Sequence, residues 1–238
     1  MYMQSKLCTP DSQQAIAELR QIYCSDGAVI EFLNDWSWRI TIMAEEIKER
    51  KRELRENMIK TLAELSEEEL SEKRKKIEDR VFDFANFKEA RVPLLYLNYG
   101  SEVPTRIILE KCLEQDKIVI LPAFSKEKYR ITPMKIDDLE ADMKPGPRGI
   151  PEPDPDKCRM VPVDRLDIAI IPGIAFDEKG ARIGSGFGYY DRLIPKLPIT
   201  TRKVALAFEN QIVQQVPMQS HDKHVDIIIT DERIIYKI

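Results

Sequence analysis

The chain has 238 residues, 43% of them hydrophobic and 33% charged, a balance that suits a globular protein with a sizeable core and excludes a disordered one. Its 37 Lys and Arg against 41 Asp and Glu give a net charge of -4, which excludes a whole-chain basic surface for nucleic acid and leaves only a local anion site open. Four scattered cysteines, none in C-x-x-C spacing, and two histidines argue against zinc and for a reducing compartment; no apolar run is long enough for a membrane, so a cytoplasmic chain is expected.

Residues 1–42 differ from the rest. They carry both tryptophans, Trp36 and Trp38, and two of the four cysteines, and SQQAIAELRQIY within them reads as a short helix. They are either an added element, such as one for protein interaction, or the product of an upstream start codon. From Met43 a cleaner helical pattern follows, AEEIKERKRELRENMIKTLAEL. At about 100° per residue, Ile47, Leu54, Met58, Leu62 and Leu65 share one narrow arc, with Lys51 inside it and Arg55 at its edge. Glu45, Glu49, Glu53, Glu56 and Lys60 lie on the far side. A cation within an apolar stripe either carries its head out to water or meets an anion inside the protein. Ser66 with Glu69 forms a capping box, which predicts a second helix running to about Phe84.

Five short apolar runs come next: VPLLYL, KIVILP, DIAIIP, KVALAF and VDIIIT. Each is bounded by polar residues, glycine or proline, the pattern of strands buried on both faces of a parallel sheet. TRIILEKCLEQ, between the first two, reads as the crossover helix of a right-handed βαβ unit, and YYDRLIPKL as the start of another helix. The expected class is α/β: a mainly parallel, Rossmann-like sheet with helices on both faces, plus an extra N-terminal helical segment. The expected division is an extension over 1–42 and one domain over 43–238. PGPRGIPEPDPDKCRMVP, residues 145–162, holds six of the 15 prolines and is either a surface loop or a stiffened pocket wall.

Five of the nine glycines lie between 173 and 188, in IPGIAFDEKGARIGSGFGYYDR. Bare backbone lets N–H groups converge, and a helix start adds positive charge, so the stretch suits phosphate; the alternative is a tight turn packed on a strand. The G-x-G-x-G spacing, set apart from the strand, is not a dinucleotide fingerprint, and no lysine follows as in a Walker loop. Asp191 just behind is either a Mg²⁺ ligand beside a phosphate or a complement to the helix start. Asp226, opening the last apolar run with Asp222 close by, is either a ligand or a surface residue. Glu102, in YGSEVPTR, follows a strand and precedes a helix, where active-site residues and ordinary first-turn acids both occur. His221 and His224 read as loop residues, and the cysteines have no nearby base pattern, so thiol catalysis is not expected.

Taken together, these blocks resemble the 5-formyltetrahydrofolate cyclo-ligase (5,10-methenyltetrahydrofolate synthetase) family over residues 44 to about 231. PGIAFDEKGARIGSGFGYYDR is the most specific match, and KRELR, SEVPT, GIPEP and HDKHVDIIIT match in the family's order; residues 1–42 fall outside it. The resemblance implies ATP-driven cyclisation of 5-formyltetrahydrofolate to 5,10-methenyltetrahydrofolate, with ATP as co-substrate, Mg²⁺ as cofactor and a monomeric enzyme. It implies that Lys51, Arg55 and Arg182 are catalytic and contact ATP, that Gly184, Ser185, Gly186, Phe187, Gly188 and Tyr189 hold the nucleotide, and that Asp191 and Asp226 hold Mg²⁺. It places Glu102 on the pterin, with Tyr190, Gly149, Ile150, Pro151 and Glu152 walling the folate pocket. Ser185 and Phe187 stand where some relatives carry basic residues, which implies weaker ATP binding or greater reliance on Lys51, Arg55 and Arg182. Pro104 replaces a residue that is often polar. The rival readings are a non-catalytic folate- or nucleotide-binding relative and a sugar-phosphate isomerase or transferase on a similar scaffold.

Overall fold

The computed structural model describes residues 27–237 except Lys126, Lys128, Pro147 and Arg148, with side chains from Met43 onward. SQQAIAELRQIY therefore lies outside the described residues. The described residues fall into two compact units: residues up to Glu53 with Pro217–His221, and Leu54–Val216 with the residues from Asp222. Helix α1 (Gly27–Ala63) belongs to the first unit up to Glu53 and to the second from Leu54. In its first part Lys51 is buried and donates from Nζ to Gln219 Oε1 at 3.4 Å. Lys48 and Arg52 instead pair with Glu45 and Glu49 on the exposed side of the helix.

In the larger unit, Ser66 caps helix α2 (Glu67–Asp83) as its spacing predicts. Glu69 N–H donates to Ser66 Oγ at 3.2 Å, and Ser66 N–H donates to Glu69 Oε2 at 2.8 Å. Extended backbone at Phe84 ends α2, and the short α3 (Ala85–Glu89) follows. The chain then enters the sheet. Its strands are β1 (Pro93–Leu94), β2 (Ile120–Ser125), β3 (Arg130–Lys135), β6 (Arg159–Met160), β7 (Ile168–Ile170), β10 (Arg202–Leu206), β11 (Ile227–Ile229) and β12 (Ile234–Tyr236). Their order is β12-β11-β10-β7-β1-β2-β3-β6. The five inner strands from β11 to β2 pair parallel, and β12, β3 and β6 add antiparallel edges. Helix α4 (Arg106–Glu114) makes the expected crossover between β1 and β2. The fold is the expected α/β sheet. The edge strands have no strand signature in the sequence: β3 contains Pro133, and β6 is two exposed residues.

The period of two in a strand sorts the apolar runs onto two faces. Ile168, Ile170, Val204, Leu206, Ile227 and Ile229 pack with Met58 and Leu62 of α1, Ile77 and Val81 of α2, and Ile108, Leu109 and Cys112 of α4. The residues between them, Ala169, Ile171, Ala205, Ala207 and Ile228, pack with Tyr189, Tyr190 and Leu193 of α5 (Tyr189–Leu193) and with Ile194 and Leu197 beyond it. Both faces are dry, which is why these strands read as continuous apolar runs. The loops after β1, β7 and β10 leave the carboxyl edge of the sheet, where such folds place their sites. Among the described residues no helix is long and apolar enough to cross a membrane.

Candidate active site

After β7 the chain makes a small hairpin of β8 (Ala175–Phe176) and β9 (Arg182–Ile183), and the glycine stretch follows directly. Gly186 and Gly188 take φ of +94° and +67°, a region that disfavours side chains, and Gly188 caps α5. Each of the three glycines lies against a guanidinium. A Cβ on Gly184 would stand 3.0 Å from Arg182 Nη1, one on Gly186 3.7 Å from Arg55 Nη2, and one on Gly188 2.8 Å from Arg192 Nη1. Arg55 also donates from Nε to Gly184 O at 2.8 Å, and Arg192 from Nη1 to Phe187 O at 3.2 Å and Gly188 O at 3.1 Å. The positive charge expected from a helix start thus comes mainly from side chains, since α5 has only five residues and a correspondingly small dipole. Arg192, at the end of the glycine stretch, has no role assigned to it from the sequence, although it stands four residues after Gly188, at the helical spacing that returns a side chain to the loop. Partial burial pushes the Arg55 guanidinium below its usual pKa, while Asp222 pulls the other way.

Behind the loop, Arg182 is only 5% exposed and donates from Nη2 to Asp191 Oδ1 at 3.0 Å and from Nη1 to Pro172 O at 3.4 Å; its Nε is buried without a hydrogen-bond partner. Asp191 Oδ1 also accepts from Lys223 N–H at 3.1 Å. Asp226 is placed differently. Its Oδ2 accepts from Lys203 N–H at 3.0 Å and pairs with Lys203 Nζ at 3.1 Å, at the amino-terminal ends of β10 and β11. The structure therefore gathers Arg55, Arg182, Asp191 and the glycines, and gives Asp226 separate partners. Among the described residues no three His, Cys, Asp or Glu side chains group as a metal site.

The residues expected around folate form a second group. Glu102, 4% exposed, accepts from Tyr99 N–H at 2.9 Å through Oε2. Tyr96, fully buried, donates its hydroxyl to Val103 O at 2.9 Å, and burial, Glu102 and Tyr190 all push its pKa well above the usual phenol value. Glu102 and Tyr190 thus act on the same buried ring. In the proline-rich stretch, β4 (Met143–Pro145) and β5 (Pro151–Pro153) pair as a hairpin turned through Gly146 and Gly149. Glu152, 7% exposed, accepts from Phe124 N–H at 3.0 Å. Ile150, Pro151 and Pro153 line a small cavity with Leu97, Leu121 and Phe124. Phe124 meets Tyr189 edge-on at 5.0 Å, and the Tyr129 and Phe187 rings lie 6.1 and 6.0 Å from Tyr189. That aromatic contact joins the proline hairpin to the end of the glycine loop. Tyr96 was missed because it sits inside VPLLYL, which reads as core, and Phe124 because it follows KIVILP, past the end of the apolar run.

The model of the 5-formyltetrahydrofolate cyclo-ligase family matches residues 47–231. A probable 5-formyltetrahydrofolate cyclo-ligase of Caenorhabditis elegans is 31% identical over 201 residues, 80% of this chain and 97% of the relative. The Mus musculus 5-formyltetrahydrofolate cyclo-ligase is 26% identical over 78% of this chain and 96% of its own. Among solved structures, the Aquifex aeolicus 5,10-methenyltetrahydrofolate synthetase superposes with a TM-score of 0.68 at 30% identity, covering 78% of this chain and 92% of that one. The Mycoplasma pneumoniae 5,10-methenyltetrahydrofolate synthetase, at 21% identity and a TM-score of 0.61 over 76% and 98%, shares the fold.

Proposed function

From membership of the 5-formyltetrahydrofolate cyclo-ligase family, to which the chain belongs, we infer that it closes 5-formyltetrahydrofolate to 5,10-methenyltetrahydrofolate with ATP, releasing ADP and phosphate. The observation that carries the site reading is the bare glycine backbone facing the guanidinium groups of Arg55, Arg182 and Arg192. Planar cations over exposed main chain suit phosphate oxygens, and the buried, unsatisfied Nε of Arg182 is a further donor of the right kind. Lys51 keeps the phosphate contact that the resemblance gives it, and a Lys51→Met variant tests this through the KM for ATP.

The formyl oxygen on N5 is a poor leaving group. In this reading it attacks the γ-phosphorus and ADP departs. N10 then attacks the formyl carbon, the C–O bond breaks, phosphate leaves with the electron pair, and N10 loses its proton. The protein needs no nucleophile for this; it positions two substrates and neutralises charge. Burial pushes the Cys112 thiol up to about 12 and also raises Cys158, which fits the absence of thiol chemistry. Mg²⁺ would offset phosphate charge during transfer. Asp191 fits it as a single carboxylate whose Oδ2 is not among the atoms held by Arg182 and Lys223. Asp226 has Lys203 on Oδ2 through both N–H and Nζ and shares no partner with Asp191, so as a second ligand it would join through Oδ1. Buried Glu102 and Glu152 supply acceptors for the ring N–H donors of a pterin. The same reading keeps a monomer in the cytoplasm.

The test is a mixture of the purified chain, Mg-ATP and 5-formyltetrahydrofolate. Methenyl-folate absorbance should rise with matching phosphate release, and only when both substrates are present. Binding of both without turnover would favour the non-catalytic relative.

A further inference from the structure

We propose that Gln211 is a positioning residue that sets the spacing between the nucleotide and folate halves of the site. The proposal rests on the cyclo-ligase reading and names a group that reading does not use. Gln211 closes the 3-10 turn Glu209–Gln211 after β10 and is fully buried. Its Oε1 accepts from Phe208 N–H at 2.9 Å, and its Nε2 donates to Ile174 O at 2.8 Å and, in a longer contact, to Ser101 O at 3.4 Å.

These three partners lie on the loops that leave β10, β7 and β1, which are consecutive neighbours in the sheet. Ser101 immediately precedes Glu102. Ile174 N–H donates in turn to Ile183 O at 2.7 Å, and Ile183 immediately precedes Gly184. One carboxamide is therefore bonded one step from the acid of the folate half and two steps from the start of the glycine loop. Of the side chains that fit such a site, only a carboxamide offers one acceptor and two donors at once. A buried carbonyl or N–H left unpaired is costly, so the three loops are held to a common geometry rather than merely packed together. Gln211 points both donors at main-chain carbonyls and acts through the loops. Transfer to the formyl oxygen needs reacting atoms about 3–3.5 Å apart, and a displacement of about 1 Å costs roughly 100-fold in rate. Each substrate is held by a different loop, so a loosened bridge harms their alignment more than either affinity.

Two variants test this: Gln211→Leu, which removes the polar bridge, and Gln211→Glu, which keeps its shape. Turnover would be measured beside the binding of 5-formyltetrahydrofolate alone and of a non-hydrolysable Mg-ATP analogue alone. For Gln211→Leu we expect kcat to fall about 30- to 100-fold while each dissociation constant changes less than about 3-fold. Gln211→Glu should regain activity as pH falls, because a neutral carboxyl recovers one donor and burial favours that form. Unchanged kcat overturns the proposal, as does weakening of both affinities in step with a lower melting temperature. Amide exchange needs no turnover and separates this failure from that of the parent reading. If wild-type protein makes no methenyl product, the cyclo-ligase reading fails, and Gln211 is then judged by exchange alone. Faster exchange in Gln211→Leu at both 99–105 and 172–188, with the strands still protected, supports the bridge; a change at one segment or neither overturns it.

Discussion

The two halves of the site hold opposite charges by opposite means. In the half proposed for the nucleotide, guanidinium groups rest on main-chain carbonyls: Arg55 on Gly184, Arg182 on Pro172, Arg192 on Phe187 and Gly188. In the half proposed for folate, carboxylates accept from main-chain N–H groups: Glu102 from Tyr99 and Glu152 from Phe124. Each functional charge is thereby oriented by backbone, which has few ways to move once the strands have packed. On the proposed reading the difference follows from the ligands. A triphosphate needs several cations around a surface without side chains, and a heterocycle needs a few fixed acceptors in a dry wall.

The comparison breaks most sharply at Asp191, which pairs with Arg182. Asp191→Asn removes the carboxylate charge and should lower kcat by roughly 1,000-fold or more, as loss of a group acting on the transferring phosphoryl does. It also leaves the buried Arg182 charge poorly paired, so a melting curve must accompany the rates. A folded variant with near-normal kcat would remove Asp191 from the chemistry. Next in size, Arg55→Met should raise the KM for ATP about 30- to 100-fold, on the order of 2–3 kcal/mol, and leave the KM for folate nearly unchanged. Equal rises in both would mean that the halves are not separate. Glu102→Gln should do the converse more mildly, raising the KM for 5-formyltetrahydrofolate about 10-fold with ATP unaffected.

The smallest effect lies outside both halves. Burial, with help from Lys237, holds the His224 imidazole below its ordinary pKa of 6.5. The folded chain therefore takes up this proton later than the unfolded chain does as pH drops. The stability linked to His224 is complete above about 6.5 and is lost as pH falls below it. Melting temperatures of His224→Gln between pH 7 and 5.5 should decline less steeply than those of the wild type, at unchanged KM for both substrates. A steeper decline would reverse the sign assigned here.

Much of this architecture is legible in the linear chain, because it depends on near neighbours. Ser66 and Glu69 cap one another across three residues, and a run such as DIAIIP must be buried on both sides wherever it pairs. The glycines at 184, 186 and 188 announce a bare backbone with an acid behind it. The antiparallel edges are not legible, since β3 and β6 become strands only by pairing with β2 and with each other. Nor is the proline hairpin, because burial of Glu152 depends on Phe124 from another strand.

By itself, then, the sequence determined the α/β class through periodicity and a bare backbone suited to an anion through short-range spacing, while its motif blocks carried the resemblance to the family. Only the tertiary structure decided which cation meets which glycine. Arg55 reaches Gly184 across 129 residues, and Asp226 is taken by Lys203 instead of joining Asp191. Gln211 became a bridge only because three strand ends lie side by side. Periodicity tells which way a side chain leaves its own element; what it meets there is set by how the elements pack.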